Sequence, residues 1–382
     1  MEKMERKGRI MKINGGIGLP SNIVKVIFSK LGIFNLHACR LVSKIWNDMV
    51  IDYASSCKFV SHANFIVSTF EICPPNCNCN CNRVCRTPSF CNAKMHSIDM
   101  HNMSFVASFG FHDRDCSMVY IYNSCNGLLF ISKSTGGDAD VNGILNPMTN
   151  EFFELYVNDE EDSYAYGFGF SPNTKQYKLF RASTDREEYT CTMEIMRLGG
   201  RSGTKEWRHF DCFPFDIHYC GAYLNGVIYW IGKEKGKEFV IYTLDVETEK
   251  IESIATLEVG PYGGRAYIGT FNANVFACVP IVGPCCKKFQ LWMMQGKDSW
   301  IREFVMYDVP KNLSTSFFHL IKVLENGERW FFLNGKIFCC DKTGTNVKIK
   351  SIFNQNTIRF GGFFPIESLN FGSLQNILAG DE

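Results

Sequence analysis

Apolar residues recur along this chain in two different rhythms. Between residues 19 and 51 the spacing is helical: Ile23, Val26, Ile27 and Leu31 mark one stripe of a first helix. Pro20 suits a first turn, which has no acceptor for its missing N–H. Gly32 falls where a helix closes in the left-handed conformation. Asn35 is placed to cap a second short helix bearing Leu36 and Cys39, and Ser43 to cap a third whose apolar face is Ile45, Trp46, Met49 and Val50. Helices this short cannot hide all these groups in a core of their own. The surplus is met either by the rest of the chain, as a helical cap, or by a separate partner. The segment reads as a docking module, not an active site.

From about residue 95 the rhythm shortens to apolar and aromatic runs separated by turn signals, the pattern of strands and hairpins. Asn126-Gly127, Asn142-Gly143, Asn225-Gly226 and Asn334-Gly335 predict tight turns, because both residue types accept positive φ. Leu224-Asn225-Gly226-Val227-Ile228 and Leu333-Asn334-Gly335-Lys336-Ile337 are self-similar, and each is followed by an acidic turn residue, Asp245 or Asp341. Their separation fits repeats of about 45–50 residues, the length of a four-stranded propeller blade, and the remaining chain would supply about six. A pair of β-sandwiches is the alternative. The fold class is thus α+β by segments: a small amino-terminal three-helix module, then an all-β domain read as a β-propeller. The expected boundaries are a flexible tail over 1–16, the helical module over 17–54, a linker with a Cys-rich loop over 55–94, the β domain over 95–378 and a tail over 379–382.

Composition narrows the partners. A net charge of +1 gives no long-range field, which argues against nucleic acid. There is no apolar run of about 18 residues and no secretory pattern at the start, so the expectation is an intracellular protein, cytoplasmic or nuclear, without a membrane span. In a reducing compartment most of the 18 cysteines act as small buried hydrophobes, among them Cys212, Cys220, Cys278, Cys339 and Cys340. The cluster at Cys77, Cys79, Cys81 and Cys85 is open to two readings. Alternating thiols suit a soft divalent metal or a redox role. The spacing lacks the Cys-x-x-Cys pairs of a structural zinc site, and the Asn/Pro content fits an exposed loop.

Catalytic signatures are missing: no phosphate-binding glycine loop, no His-Glu-x-x-His and no nucleophile elbow. No cofactor is expected. Gly167-Phe168-Gly169 lies in a strand-like run and is better explained by close backbone packing. By composition alone, Tyr262, Arg265, Trp300 and Arg302 are candidate anchors for a bound protein.

Two resemblances follow. The Leu19-Pro20 start, the Ile/Val/Leu spacing and the Val42-Ser43-Lys44-x-Trp46 close resemble the F-box. That resemblance implies binding to a Skp-type adaptor, and through it a cullin scaffold, with Leu19, Pro20, Ile23, Ile27, Leu31, Leu36, Val42 and Trp46 as adaptor contacts. Ser124-Cys125-Asn126-Gly127-Leu128-Leu129, Asn146-Pro147-x-Thr149, Tyr166-Gly167-Phe168-Gly169-Phe170-Ser171-Pro172, Tyr177-Lys178-Leu179 and the closing Pro365-Ile366-Glu367-Ser368-Leu369 resemble the plant F-box-associated interaction domain. Together they imply a non-catalytic ligase receptor that holds an unidentified protein substrate. The rivals are a propeller scaffold outside a ligase, a metal or redox sensor using the cysteine loop, and a propeller enzyme with a deep central pocket.

Overall fold

The computed structural model describes residues 19–31, 33–56, 64–73, 89–99, 104–110, 118–134, 140–155, 164–185, 187–188, 190–199, 207–213, 215–217, 221–234, 239–257, 266–282, 287–296, 299–309, 318–333, 336–345, 347–350, 358–366 and 374–379. The chain divides into two compact units, residues 1–62 and 63–382.

The first unit contains helices α1 (Ser21–Phe28), α2 (Ile33–Arg40) and α3 (Lys44–Ser56). Pro20 precedes α1 in an extended conformation, and its carbonyl accepts the first helical N–H groups, from Ile23 and Val24. Ser43 caps α3 as expected, its hydroxyl accepting from the Trp46 N–H at 3.3 Å. Asn35 does not cap α2: the helix starts two residues earlier, at Ile33. Gly32 lies outside the described residues. Val24, Phe28, Leu36, Val50 and Tyr53 are buried, and Phe28 meets the rings of Trp46 and Tyr53 edge-on at 5.7 and 5.6 Å. Arg40 hydrogen-bonds Asn47 at 2.8 Å and Lys25 pairs with Asp52 at 3.1 Å, tying α2 and α1 to α3.

Among the described residues the second unit forms six antiparallel sheets, the first of which pairs the two ends of the unit. The first takes β1 (Asn64–Cys73), β2 (Ser89–Asp99) and β3 (Ser104–Gly110) from the start of the unit and adds the last strand, β25 (Ile358–Ile366), beside β1. The second holds β4 (Met118–Cys125), β5 (Leu128–Ser134), β6 (Val141–Asn146) and β7 (Glu151–Leu155). The third holds β8 (Tyr164–Ser171), β9 (Gln176–Asp185), β10 (Thr190–Leu198) and β11 (Arg208–Phe213). In the fourth the inner strand is split: β12 (Asp216–Ile217) and β13 (Ala222–Leu224) both pair with β14 (Val227–Lys233), followed by β15 (Phe239–Asp245) and β16 (Lys250–Leu257). The fifth holds β17 (Tyr267–Phe271), β18 (Asn274–Val282), β19 (Lys287–Met294) and β20 (Trp300–Val309), and the sixth β21 (Phe318–Val323), β22 (Arg329–Leu333), β23 (Lys336–Cys340) and β24 (Lys348–Lys350). Pairing β25 with β1 joins the two ends of the unit by main-chain hydrogen bonds and so closes the unit.

This arrangement corrects the sequence-based boundaries. Residues 64–73 and 89–94, expected to be linker, are strands, and the β domain therefore begins some 30 residues early. The domain is also not wholly β. Helix α4 (Leu374–Ala379) buries Leu374 and Leu378 in the cluster shared by the second and third sheets, and its first N–H is received by Glu151.

Each sheet is covered on both faces by its neighbours, which is why β5 is buried at every position. Phenylalanines fill the seams. Phe276, Phe289 and Phe304 of the fifth sheet meet Phe318, Phe331 and Phe338 of the sixth, while Phe65 and Val67 of the first meet Trp330 and Phe332 of the sixth. Between the second and fourth sheets, Asn123 donates to the Gly221 carbonyl at 2.6 Å, and the Gly221 N–H reaches Tyr166 of the third at 2.8 Å. These bonds draw three inner edges together.

The turns follow their residues. Asn126-Gly127 and Asn225-Gly226 take positive φ at both positions, as expected. Asn142-Gly143 is no turn: it lies inside β6, where a Cβ on Gly143 would stand 2.4 Å from the Phe152 ring. Asn334-Gly335 lies outside the described residues. The hairpin between β17 and β18 turns on Asn272-Ala273 at φ +50° and +55°, with no glycine. An exposed alanine in that conformation is strained. Ala273→Gly is accordingly expected to raise stability by about 0.5–1 kcal/mol, read as a higher denaturation midpoint at unchanged m-value.

Burial keeps two imidazoles neutral. His96, hydrogen-bonded to Thr69 at 2.8 Å, is brought down to about 4 by burial, helped by Lys94, and His319 to about 3 by burial. Both folded values lie below the ordinary 6.5, so the fold binds fewer protons than the unfolded chain across that interval. The stability contributed by neutral His96 and His319 is fully present above pH 6.5 and is lost as pH falls through about 4 and 3. The melting temperature is expected to drop across that window, and His96→Gln with His319→Gln to flatten the slope.

Candidate functional site: an exposed apolar face on the helical unit

Among the described residues, eleven large apolar side chains are exposed, and eight of them belong to the small helical unit: Leu19, Ile23, Val26, Ile27, Leu41, Val42, Ile45 and Ile51. Monomeric surfaces do not concentrate such groups without a use for them. The sequence pattern located the stripe on α1, and the structure shows which side of the helix it is. Val24 and Phe28 point inward, whereas Ile23, Val26 and Ile27 face out, with Val26 59% accessible. Leu31 lies just beyond the end of α1 and is half-buried.

The expected contacts therefore separate. Leu19, Pro20, Ile23, Ile27 and Val42 are exposed. Trp46 is half-buried, its ring meeting Phe28 edge-on, so only part of it is open. Leu36 is fully buried and leaves no surface for a partner, which corrects its expected contact role. Leu41, at 80% the most exposed of the set, and Ile45, read from the sequence as part of the apolar face of the third helix, were not among the expected contacts. Their signal was available: an apolar pair on either side of the Ser43 cap has nothing local to cover it.

On the β unit the candidate anchors fare differently. Trp300 and Arg302 lie in strand β20. Trp300 packs against the cluster shared by the fourth and fifth sheets, a structural role, while Arg302 is exposed. Tyr262 and Arg265 lie outside the described residues, as do Cys77, Cys79, Cys81 and Cys85. Among the described residues no group of His, Cys, Asp and Glu is placed to hold a metal ion. Cys278, Cys339 and Cys340 are buried as expected, Cys212 is exposed on the outer strand β11, and Cys220 is outside the described set. No helix among the described residues is long and apolar enough to cross a membrane.

The signature residues of the β unit turn out to be builders of the fold. Gly167 lets Trp230 of the next sheet approach to where a Cβ would stand 2.4 Å from its ring. Asn146 is fully buried and holds its turn through the Met148 N–H at 3.0 Å. Lys178 is buried, with its ammonium 2.7 Å from the Val246 carbonyl and 2.9 Å from Glu249. These positions specify how one sheet seats on the next.

Residues 17–55 match the F-box domain, and residues 80–343 match the F-box associated beta propeller domain. The chain belongs to the F-box-associated β-propeller family. Its relatives include F-box protein At3g07870 of Arabidopsis thaliana, 23% identical over 88% of this chain and 84% of its own length. Putative F-box protein At1g53550 of the same plant is 22% identical over 81% and 76%. F-box protein DOR, also from Arabidopsis thaliana, is 23% identical over 74% and 73%. Among solved structures, a periplasmic gluconolactonase of Pseudomonas aeruginosa aligns over 75% of this chain and 83% of its own at 10% identity and a TM-score of 0.40, too loose a likeness to bear on function. The chain thus joins an F-box to an F-box-associated propeller.

Proposed function

We propose that this F-box protein is the receptor subunit of an SCF-type ubiquitin ligase. The observation that supports this reading most strongly is the concentration of exposed apolar side chains on the F-box. Leu19, Pro20, Ile23, Ile27, Val42 and the open part of Trp46 form the docking face for a Skp-type adaptor, with Val26, Leu41 and Ile45 beside them. A standard interface covers about 800 Å² per partner, and a few apolar anchors carry most of its energy. The propeller holds a protein target. Through the adaptor the chain is tethered to a cullin scaffold, and the ligase acts by proximity: tethering raises the effective concentration of target lysines near the charged conjugating enzyme. The chain itself makes and breaks no covalent bond. Capture of a purified Skp-type adaptor by the full chain, followed by a cullin, tests the proposal. A folded chain that captures no plant Skp-type adaptor would overturn it.

A further inference from the structure

Three cations crowd one edge of the third sheet. Lys178 on β9 and Arg197 on β10 are direct cross-strand partners, and Arg208 on β11 stands opposite Ile195, two residues along β10 from Arg197 on the same face. Like charges placed directly opposite repel, so a sheet gains nothing from this pairing by itself. The fourth sheet sends one carboxylate among them, Glu249, from the turn between β15 and β16. Its Oε1 receives Lys178 at 2.9 Å and Arg197 at 3.4 Å, and its Oε2 receives Arg208. The other acids of that turn are engaged elsewhere. Glu247 takes the Ser171 hydroxyl, and Asp245 takes the N–H and hydroxyl of Thr248 at 2.7 and 3.0 Å. Burial alone would push the Glu249 carboxyl up, but the hydrogen bonds from Lys178 and Arg208 outweigh it and hold the group below the ordinary 4.5.

The carboxylate of Glu249, itself held by the buried Lys178 ammonium, tethers the two arginines, while the arginine side chains remain 58% and 53% exposed. Each guanidinium has five donors in a rigid fork, suited to bidentate binding of carboxylate or phosphate. Held in place before any ligand arrives, such forks lose little entropy on binding. We infer that this rim of the third sheet is a recognition site for an acidic peptide segment, bound by Arg197 and Arg208, with Lys178 and Glu249 as positioning residues. The inference rests on the reading that the propeller receives a protein, and it supplies the chemical class of that protein's docking segment.

The test is titration of the full chain with fluorescein-labelled decaglutamate at low salt, with decaglutamine as the neutral control. Saturable binding is expected for the acidic probe only, weakened about tenfold or more by Arg197→Gln with Arg208→Gln and unaffected by Lys348→Gln, an exposed lysine on the sixth sheet. It should also fade as salt shortens the Debye length. Arg197→Lys with Arg208→Lys keeps the charge and removes the forks, so it reads the site even should the glutamine pair fold poorly; an intermediate loss is expected. No binding of decaglutamate, binding indifferent to both double variants, or an equal loss with Lys348→Gln overturns the inference. Adaptor capture by the F-box is read separately on the same preparations, so failure there strikes the ligase reading alone.

Discussion

Replacing Ile23 and Ile27 together by aspartate is expected to abolish capture of a Skp-type adaptor while leaving the protein folded. Both side chains stand on the outer face of α1, 43% and 36% exposed, one helical turn apart. Neither contributes to the buried set of Val24, Phe28, Leu36, Val50 and Tyr53, so the helical unit keeps its core. At an interface the same positions must be stripped of water. Two carboxylates without partners in an apolar contact cost several kcal/mol, and the expected loss of affinity is about 100-fold or more. Leu19→Ala with Pro20→Ala should give a smaller loss in the same direction, because the Pro20 carbonyl that starts α1 is retained. Affinity measured by calorimetry, with circular dichroism on each variant, checks both. Unaltered affinity in the folded aspartate variant would remove this face from the adaptor contact. Phe28→Ala is the informative contrast, since it should lose binding and structure together.

The largest expected effect on stability comes from Gly344→Ala. Gly344 lies in the turn between β23 and β24 at φ +80°, and its carbonyl accepts from the Tyr307 N–H of the fifth sheet at 2.9 Å. A Cβ there would stand 1.8 Å from the Val305 carbonyl oxygen, a backbone atom that cannot turn aside. The seam between the fifth and sixth sheets would have to open, in addition to the left-handed strain that any non-glycine residue meets. A loss of about 3 kcal/mol or more is expected in denaturant unfolding. Gly296→Ala separates the two contributions. That glycine also has positive φ, at +143°, but nothing lies within 4 Å of its added Cβ, so only the backbone cost applies. Equal losses at the two positions would show that the seam tolerates the methyl group.

Legibility in the sequence was uneven, for identifiable reasons. The helical stripe, the Ser43 cap and the Asn126-Gly127 and Asn225-Gly226 turns are local, set by spacing and φ preference within a few residues, and they were read correctly. So was the close approach at Gly167. The first sheet was missed because β1 pairs with β25, nearly three hundred residues further along, and no window on the sequence contains both strands. Asn142-Gly143 misled because its glycine serves packing against Phe152 and not φ, two uses that look identical in one dimension. The family signature was recognised, but its motifs proved to be seam and turn positions. Nothing in Tyr177-Lys178-Leu179 says that the lysine is buried on a carboxylate from the next sheet.

The sequence by itself determined that this protein has two parts, a short helical segment with more apolar surface than it can hide and a long aromatic-rich β region punctuated by turns. Those facts are carried by periodicity, which each segment contains within itself. Only the tertiary structure decided which side of α1 is free, that Leu36 is inside, where the ring of sheets closes, and that Lys178, Arg197, Arg208 and Glu249 converge. Each of those depends on what another strand or helix, distant in sequence, places against the residue. Burial and charge pairing are properties of that neighbour as much as of the residue itself.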